Sequence, residues 1–89
     1  MTLVGLDVGT SAVKGVAIDE EGRLLATASA GYPLSRPQPG WSEQEPEDWW
    51  FAARDVLGQL PEGPVGLSGQ MHGLVVLDAE HRLLRPAIL

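Results

Sequence analysis

Eighty-nine residues, 44% of them hydrophobic and three of them Trp, are too apolar for a disordered chain and long enough for one domain with a thin core. Six Lys plus Arg against twelve Asp plus Glu leave a formal charge of −6, the wrong sign for winning affinity from phosphodiester backbones, so nucleic acid is set aside as a partner. No apolar run approaches the roughly 20 residues that span a bilayer, the start Met1-Thr2-Leu3 lacks a signal peptide's basic and apolar regions, and zero Cys removes disulfides and thiolate metal sites, which together read as a cytoplasmic protein with no membrane partner.

Leu3 to Val8 is a short apolar run with β-branched Val4 and Val8, closed by Gly9, and it predicts a buried strand. Ala12 to Asp19 alternates well enough for a second strand, "DEEG" supplies turn residues, and Arg23 to Gly31 makes a third. Three consecutive strands with tight links predict an antiparallel meander. Tyr32 to Gln44 contains three Pro and a Gly, each Pro removing a backbone donor, and reads as an ordered loop or crossover. Pro46 fits a first helical turn, with Glu47 and Asp48 placed where the helix dipole favours acids, although Glu45 is a poor cap.

Trp49, Ala53, Val56, Leu57 and Leu60 recur at helical spacing, giving the helix one wide apolar face that stops at "PEGP"; Trp50 and Phe51 broaden that band or meet a neighbouring segment. Val65 to Ser68 predicts another buried strand, and Leu74 to Leu77, "DAEH" and Arg82 to Leu84 predict a hairpin. A meander, a helix, a further strand and a hairpin make an α/β layer on a mixed sheet. The last residues, "RPAIL", are apolar and still running, so the chain is expected to be the front part of a longer protein whose unfinished edge gives it reason to self-associate.

Two stretches carry chemistry. In "DVGTS", Asp7 at the carboxyl end of a strand enters the crevice where open α/β sheets collect ligands. Gly9 admits an anion close to the backbone, and the N–H groups and hydroxyls of Thr10 and Ser11 can grip phosphate oxygens. Lys14 adds a point charge for phosphate, and the Asp7 carboxylate suits a hydrated Mg²⁺. The same residue types also build plain hairpin turns, so turn and phosphate loop both stand on this pattern alone. No Walker A spacing occurs anywhere.

In "GQMHG", Gly69 and Gly73 bracket Gln70, Met71 and His72 just after a buried strand. Gln70 and His72 offer directional hydrogen bonds to hydroxyls and Met71 offers adaptable packing, while a lone His is also commonly structural. His81 lies in a polar turn and reads as solvated, and no His pair has the spacing of a zinc site. Trp41, in the Pro-rich loop, either lines a pocket or staples the loop.

The opening "GLDVGTSAVKG" resembles the first phosphate motif of the actin-like ATPase superfamily. Taken in order with "PGWSEQEPEDWW", "GLSGQMHGLVVLD" and "LLRPAIL", it is similar to the amino end of FGGY carbohydrate kinases, their xylulokinase branch in particular. The match runs through essentially the whole chain.

That resemblance implies a ribonuclease-H-like fold, with residues 1–89 forming the N-terminal part of the first domain of a kinase that transfers the terminal phosphate of ATP to a hydroxyl of D-xylulose. Asp7 would serve as the acid toward Mg²⁺ and phosphate, Gly9, Thr10 and Ser11 as the phosphate loop, and Lys14 as a phosphate contact. Met71 and His72, with Gln70 beside them, would touch the ketose. In such kinases a later Asp accepts the proton of the attacking hydroxyl and later loops hold the adenosine, so these residues alone are expected to be inactive and to need the remainder of a kinase chain. Glycerol kinases carry Arg-Glu where "MHG" stands here, which disfavours glycerol, whereas gluconate-type kinases can also have Met-His. A non-catalytic nucleotide-binding module on the same hairpin is the remaining alternative. One departure is Glu45, where relatives more often have an Asp cap.

Overall fold

A computed structural model describes every residue from Met1 to Leu89. Its elements in chain order are β1 (Leu3–Val8), β2 (Ala12–Ile18), β3 (Leu24–Gly31), β4 (Glu43–Gln44), α1 (Pro46–Gly58), β5 (Val65–Gly69) and β6 (Ala87–Ile88). The main sheet has the order β3-β2-β1-β5, antiparallel through the meander and parallel between β1 and β5. It is the mixed sheet that the sequence predicts, and the first three strands fall within one residue of their expected bounds.

Alternation decides which face is covered. Val4 and Leu6 of β1 and Val13 and Ala17 of β2 point to one side, where α1 lays Ala52, Ala53 and Val56, with Leu60 just beyond its end. Val13 and Val56 are fully enclosed. The helix lies chiefly over β2 and β3 and only brushes β1. Glu45 caps it without any side-chain hydrogen bond, so Pro46 and the acids Glu47 and Asp48 carry the start.

Three expectations need correction. β5 forms where predicted, but none of its residues is buried: it is the parallel edge strand, beyond the reach of α1, and Leu67 is 75% exposed although it shares the helix-side face with Leu6. Trp50 and Phe51 do not broaden the apolar band but stand in solvent, Trp50 under the Arg54 guanidinium at 5.9 Å, because the helix already buries its small Ala52–Ala53 stripe against the sheet. The predicted hairpin closes its turn, with Leu77 opposite Leu83, yet its arms pair too briefly to be strands. Leu74 instead bonds Ile88 through both backbone groups, and Ala87–Ile88 pairs with Glu43–Gln44 as a second, two-stranded sheet that pins the Pro-rich loop.

"DEEGR" and "DAEHR" fold into the same turn. Asp19 Oδ1 accepts from the N–H groups of Glu21 and Arg23, and Asp78 Oδ1 accepts from those of Glu80 and Arg82. The fourth position is left-handed in both, Gly22 at φ 82° and His81 at φ 65°. A side chain there costs about 1–2 kcal/mol, partly offset by the larger entropy loss of Gly. His81→Gly is therefore expected to stabilise the chain by about 0.5–1 kcal/mol in urea unfolding; an unchanged or lower midpoint would show that the turn carries no such strain.

Candidate functional site

Register builds the site. Residues directly paired across a sheet share a face, and the pairs Lys14–Ser29, Asp7–Lys14 and Asp7–Ser68 set Ser29, Lys14, Asp7 and Ser68 in one row across four strands. This row lies on the face opposite α1, and all four residues are exposed. Ser68 Oγ donates to Asp7 Oδ1 at 2.8 Å, while Oδ2 accepts from no group of the chain. Lys14 stands across the strand from Asp7 but belongs to no ion pair of the chain.

Beyond Asp7, the β1–β2 hairpin turns at Gly9, Thr10 and Ser11. A Cβ on Gly9 would lie 3.1 Å from the Ala12 carbonyl and 3.6 Å from Asp7 Oδ2, so the space beside the carboxylate stays open only because this residue is glycine. The N–H of Gly9 bonds the Ala12 carbonyl, whereas those of Thr10 and Ser11, like their hydroxyls, donate to nothing in the chain. The carbonyls are all engaged. Tyr32 Oη donates to Gly9 O, Gln44 Nε2 to Thr10 O at 2.5 Å, and the Tyr32 N–H to Ser11 O at 3.2 Å. Burial, and after it the Asp7 carboxylate, push the Tyr32 phenol above its usual range, and a phenol is a hydroxyl donor at physiological pH even without that shift. Gln44, only 2% exposed, also accepts from Trp49 Nε1 at 2.9 Å.

The second motif arrives by the parallel pairing. Gly69 lies opposite Val8, and the Gln70 N–H donates to Val8 O at 3.1 Å, so both motifs meet at the carboxyl edge of β1 and β5. Gln70 Nε2 is buried with no hydrogen-bond partner, in a hollow lined by Val8, Trp49, Gly73 and Val75. An unpaired buried amide costs about 1–3 kcal/mol, so this one is poised to donate. Met71 is 84% exposed, and neither it nor the exposed His72 hydrogen-bonds the other candidate residues.

The structure thus gathers Asp7, Gly9, Thr10, Ser11, Lys14 and Gln70 at one edge, with Met71 and His72 following Gln70 in the chain as exposed side chains. Trp41 staples its loop: Arg85, ion-paired with Glu43, sits over its ring at 6.0 Å. His81 is solvated as read. No cluster of three or more His, Asp or Glu exists that could enclose a metal, and in the row across the four strands Asp7 is the one carboxylate. That suits Mg²⁺, which takes one or two carboxylates plus phosphate and water.

A family model described as the N-terminal domain of the FGGY family of carbohydrate kinases matches residues 2–89. The chain belongs to the FGGY family of carbohydrate kinases. It is 43% identical over 93 residues to the xylulose kinase of Escherichia coli K12, covering 97% of this chain and 19% of that protein. The crystal structure of a "xyloylose kinase" from Brucella ovis superposes with a TM-score of 0.93 at 45% identity, over 100% of this chain and 21% of that one.

Two Lactobacillus acidophilus structures, one named a gluconate kinase and one a ligand-bound xylulose kinase, each match with TM-score 0.89 and 32% identity over 98% of this FGGY chain and 19% of theirs. The chain spans about a fifth of the length of the relatives it matches. Its fold is that of the actin-like ATPases, as the opening motif leads one to expect. No helix is long and apolar enough to cross a membrane.

Proposed function

We propose that residues 1–89 form the N-terminal part of the first domain of an ATP-dependent kinase that converts D-xylulose to D-xylulose 5-phosphate in the cytoplasm. The observation that carries the reading is the open corner at Asp7. A carboxylate with a free oxygen, a facing unpaired Lys14 and two unpartnered N–H groups at Thr10 and Ser11 converge beside a glycine that keeps the space clear. The names of the relatives supply the sugar.

In this reading Thr10 and Ser11 grip phosphate oxygens through N–H and hydroxyl, Lys14 contributes a positive charge, and Gly9 allows close approach. Asp7 holds the hydrated Mg²⁺ of the nucleotide. Bound there, the cation neutralises charge on the phosphate oxygens, which is most of what phosphoryl transfer asks of a site. Gln70 donates its unpaired amide to a sugar hydroxyl at the same edge, and Met71 and His72 approach the ketose from the outer side of the loop. The exposed Val65, Leu67, Leu74 and Leu84 are the surface on which the remainder of the kinase packs, and on which these 89 residues self-associate when alone.

A substrate panel on the whole kinase tests this. D-xylulose is expected to exceed D-gluconate and glycerol by about 100-fold or more in kcat/KM, with no turnover by the 89-residue chain alone. Preference for gluconate, the reading favoured by the gluconate-named neighbour, overturns the sugar assignment. Turnover by the short chain overturns the division of labour.

A further inference from the structure

We infer that Tyr32 and Gln44 are positioning residues of the phosphate loop: together they turn every carbonyl of its tip inward, and the Thr10 and Ser11 N–H groups therefore point outward toward an anion. The inference rests on the phosphate reading above and adds the device that aims the loop. In a trans peptide the C=O and the N–H of one plane point in opposite directions. The Gly9 carbonyl shares its plane with the Thr10 N–H, and the Thr10 carbonyl shares its plane with the Ser11 N–H. Holding the two carbonyls against the scaffold leaves the two N–H groups only one direction to face, and these are the two that find no partner in the chain.

The donors come from far along the sequence. Tyr32 reaches Gly9 across 23 residues and Gln44 reaches Thr10 across 34. A hairpin tip with no such need would leave its carbonyls to water. Ser11 is held as well, by the Tyr32 N–H, so one residue grips the tip twice.

Gln44 is itself oriented. The indole N–H of Trp49 is a donor only, so it selects the Gln44 oxygen and leaves the NH₂ to face Thr10. The tip is therefore referenced to helix α1 through Trp49 and to the end of β3 through Tyr32, rather than to its own two strands alone. With Gln44 almost fully enclosed, this brace has little freedom to swing.

The test separates the brace from the anion. In the 89-residue chain, Tyr32→Phe and Gln44→Met each remove one donor while keeping most of the volume. The expected result by ¹⁵N relaxation is that Thr10 and Ser11 fall from rigid order parameters of about 0.85 toward 0.6 or below, with the signals of β1, β2 and β3 unmoved. Trp49→Phe, which frees the Gln44 amide to flip, should loosen Thr10 and Ser11 in the same way. Because Tyr32→Phe deletes a single oxygen from a partly buried ring, it serves as the test should Gln44→Met fail to fold.

In the whole kinase the same variants are expected to raise the KM for MgATP about 10-fold while leaving the KM for sugar unchanged, a split that a general loss of stability would not produce. A tip that stays rigid in the folded variants overturns the inference whatever the kinase does. A loosened tip with an unchanged KM for MgATP upholds the brace and overturns the phosphate assignment on which it rests.

Discussion

Asp7→Asn is expected to lower kcat of the whole kinase by about 10³-fold or more with little effect on the fold, the pattern of a group that acts on charge rather than on packing. Asn has the same size, and its Oδ1 can still accept the Ser68 hydroxyl that Asp7 accepts at 2.8 Å. What disappears is the negative charge, which is the property a hydrated cation selects. The residue is exposed and no ion pair of the chain holds it, so little of the packing depends on its charge. Urea unfolding of the 89-residue variant should consequently move by no more than about 0.5 kcal/mol. Ser68→Ala is the informative companion. If Ser68 only orients the carboxylate, its loss should cost about 10-fold or less in kcat, because Oδ2 remains available. A variant Asp7→Asn that keeps more than a tenth of wild-type kcat would show that the cation is held elsewhere.

The strands that carry Asp7 and Lys14 were legible in the sequence, and the reason is local, since Leu3–Val8 and Ala12–Asp19 each show their pattern within a few residues. Their register was not: a three-residue link of Gly9, Thr10 and Ser11 would pair Asp7 with Val13, whereas the Gly9 N–H bonds the Ala12 carbonyl, which leaves Thr10 and Ser11 as a two-residue tip and pairs Asp7 with Lys14. The helix was legible for the same kind of reason, since Pro46, the first-turn acids and the spacing of Ala53, Val56 and Leu60 all lie within one short window. Exposure of β5 was not legible, because an apolar run says that a strand is fit for burial without saying how far a helix 13 residues long will reach across the sheet.

The pairing of β4 with β6 was hidden for a related reason. Two-residue strands have no period, and Glu43 meets Ile88 only because the turn after Leu77 and the Pro-rich loop both fold back. Tyr32 and Gln44 were invisible as members of the site, since a Tyr at the end of a strand and a Gln before a helix are ordinary until the carbonyls they face are known. Gln70 was named from its place after a strand, but the structure adds the fact that matters, an enclosed amide with nothing to bond. Met71 and His72 were named beside it, and the structure adds only that both are exposed, because a side chain that meets a ligand rather than the chain leaves no contact to read.

Gly15→Ala is expected to destabilise the chain by about 1–3 kcal/mol, and Gly15→Val by more, despite the better strand propensity of both replacements. Gly15 lies opposite Leu6 on the helix-facing side of β2, and a Cβ built there meets Val56 Cγ1 at 2.6 Å and Leu60 Cδ1 at 2.8 Å. Both partners belong to a core cluster of eight buried residues, Val56 with no exposure at all, so neither has room to step aside. The helix must lift instead. At about 4–8 °C per kcal/mol for a chain of this size, Gly15→Ala should lower Tm by roughly 5–20 °C.

A second substitution identifies the cause of that loss. Val56→Ala alone leaves a cavity and is destabilising, but it removes the methyl that a new Cβ would strike, so the double variant Gly15→Ala/Val56→Ala should be more stable than the sum of the two losses predicts. Strict additivity would place the cost in the strand and not in the helix contact. Helix α1 carries Trp49, which orients Gln44, which holds the Thr10 carbonyl. Lifting it should therefore raise the KM for MgATP of the whole kinase even well below Tm, so that a glycine chosen for packing on one face of the sheet sets the aim of the phosphate loop at its edge.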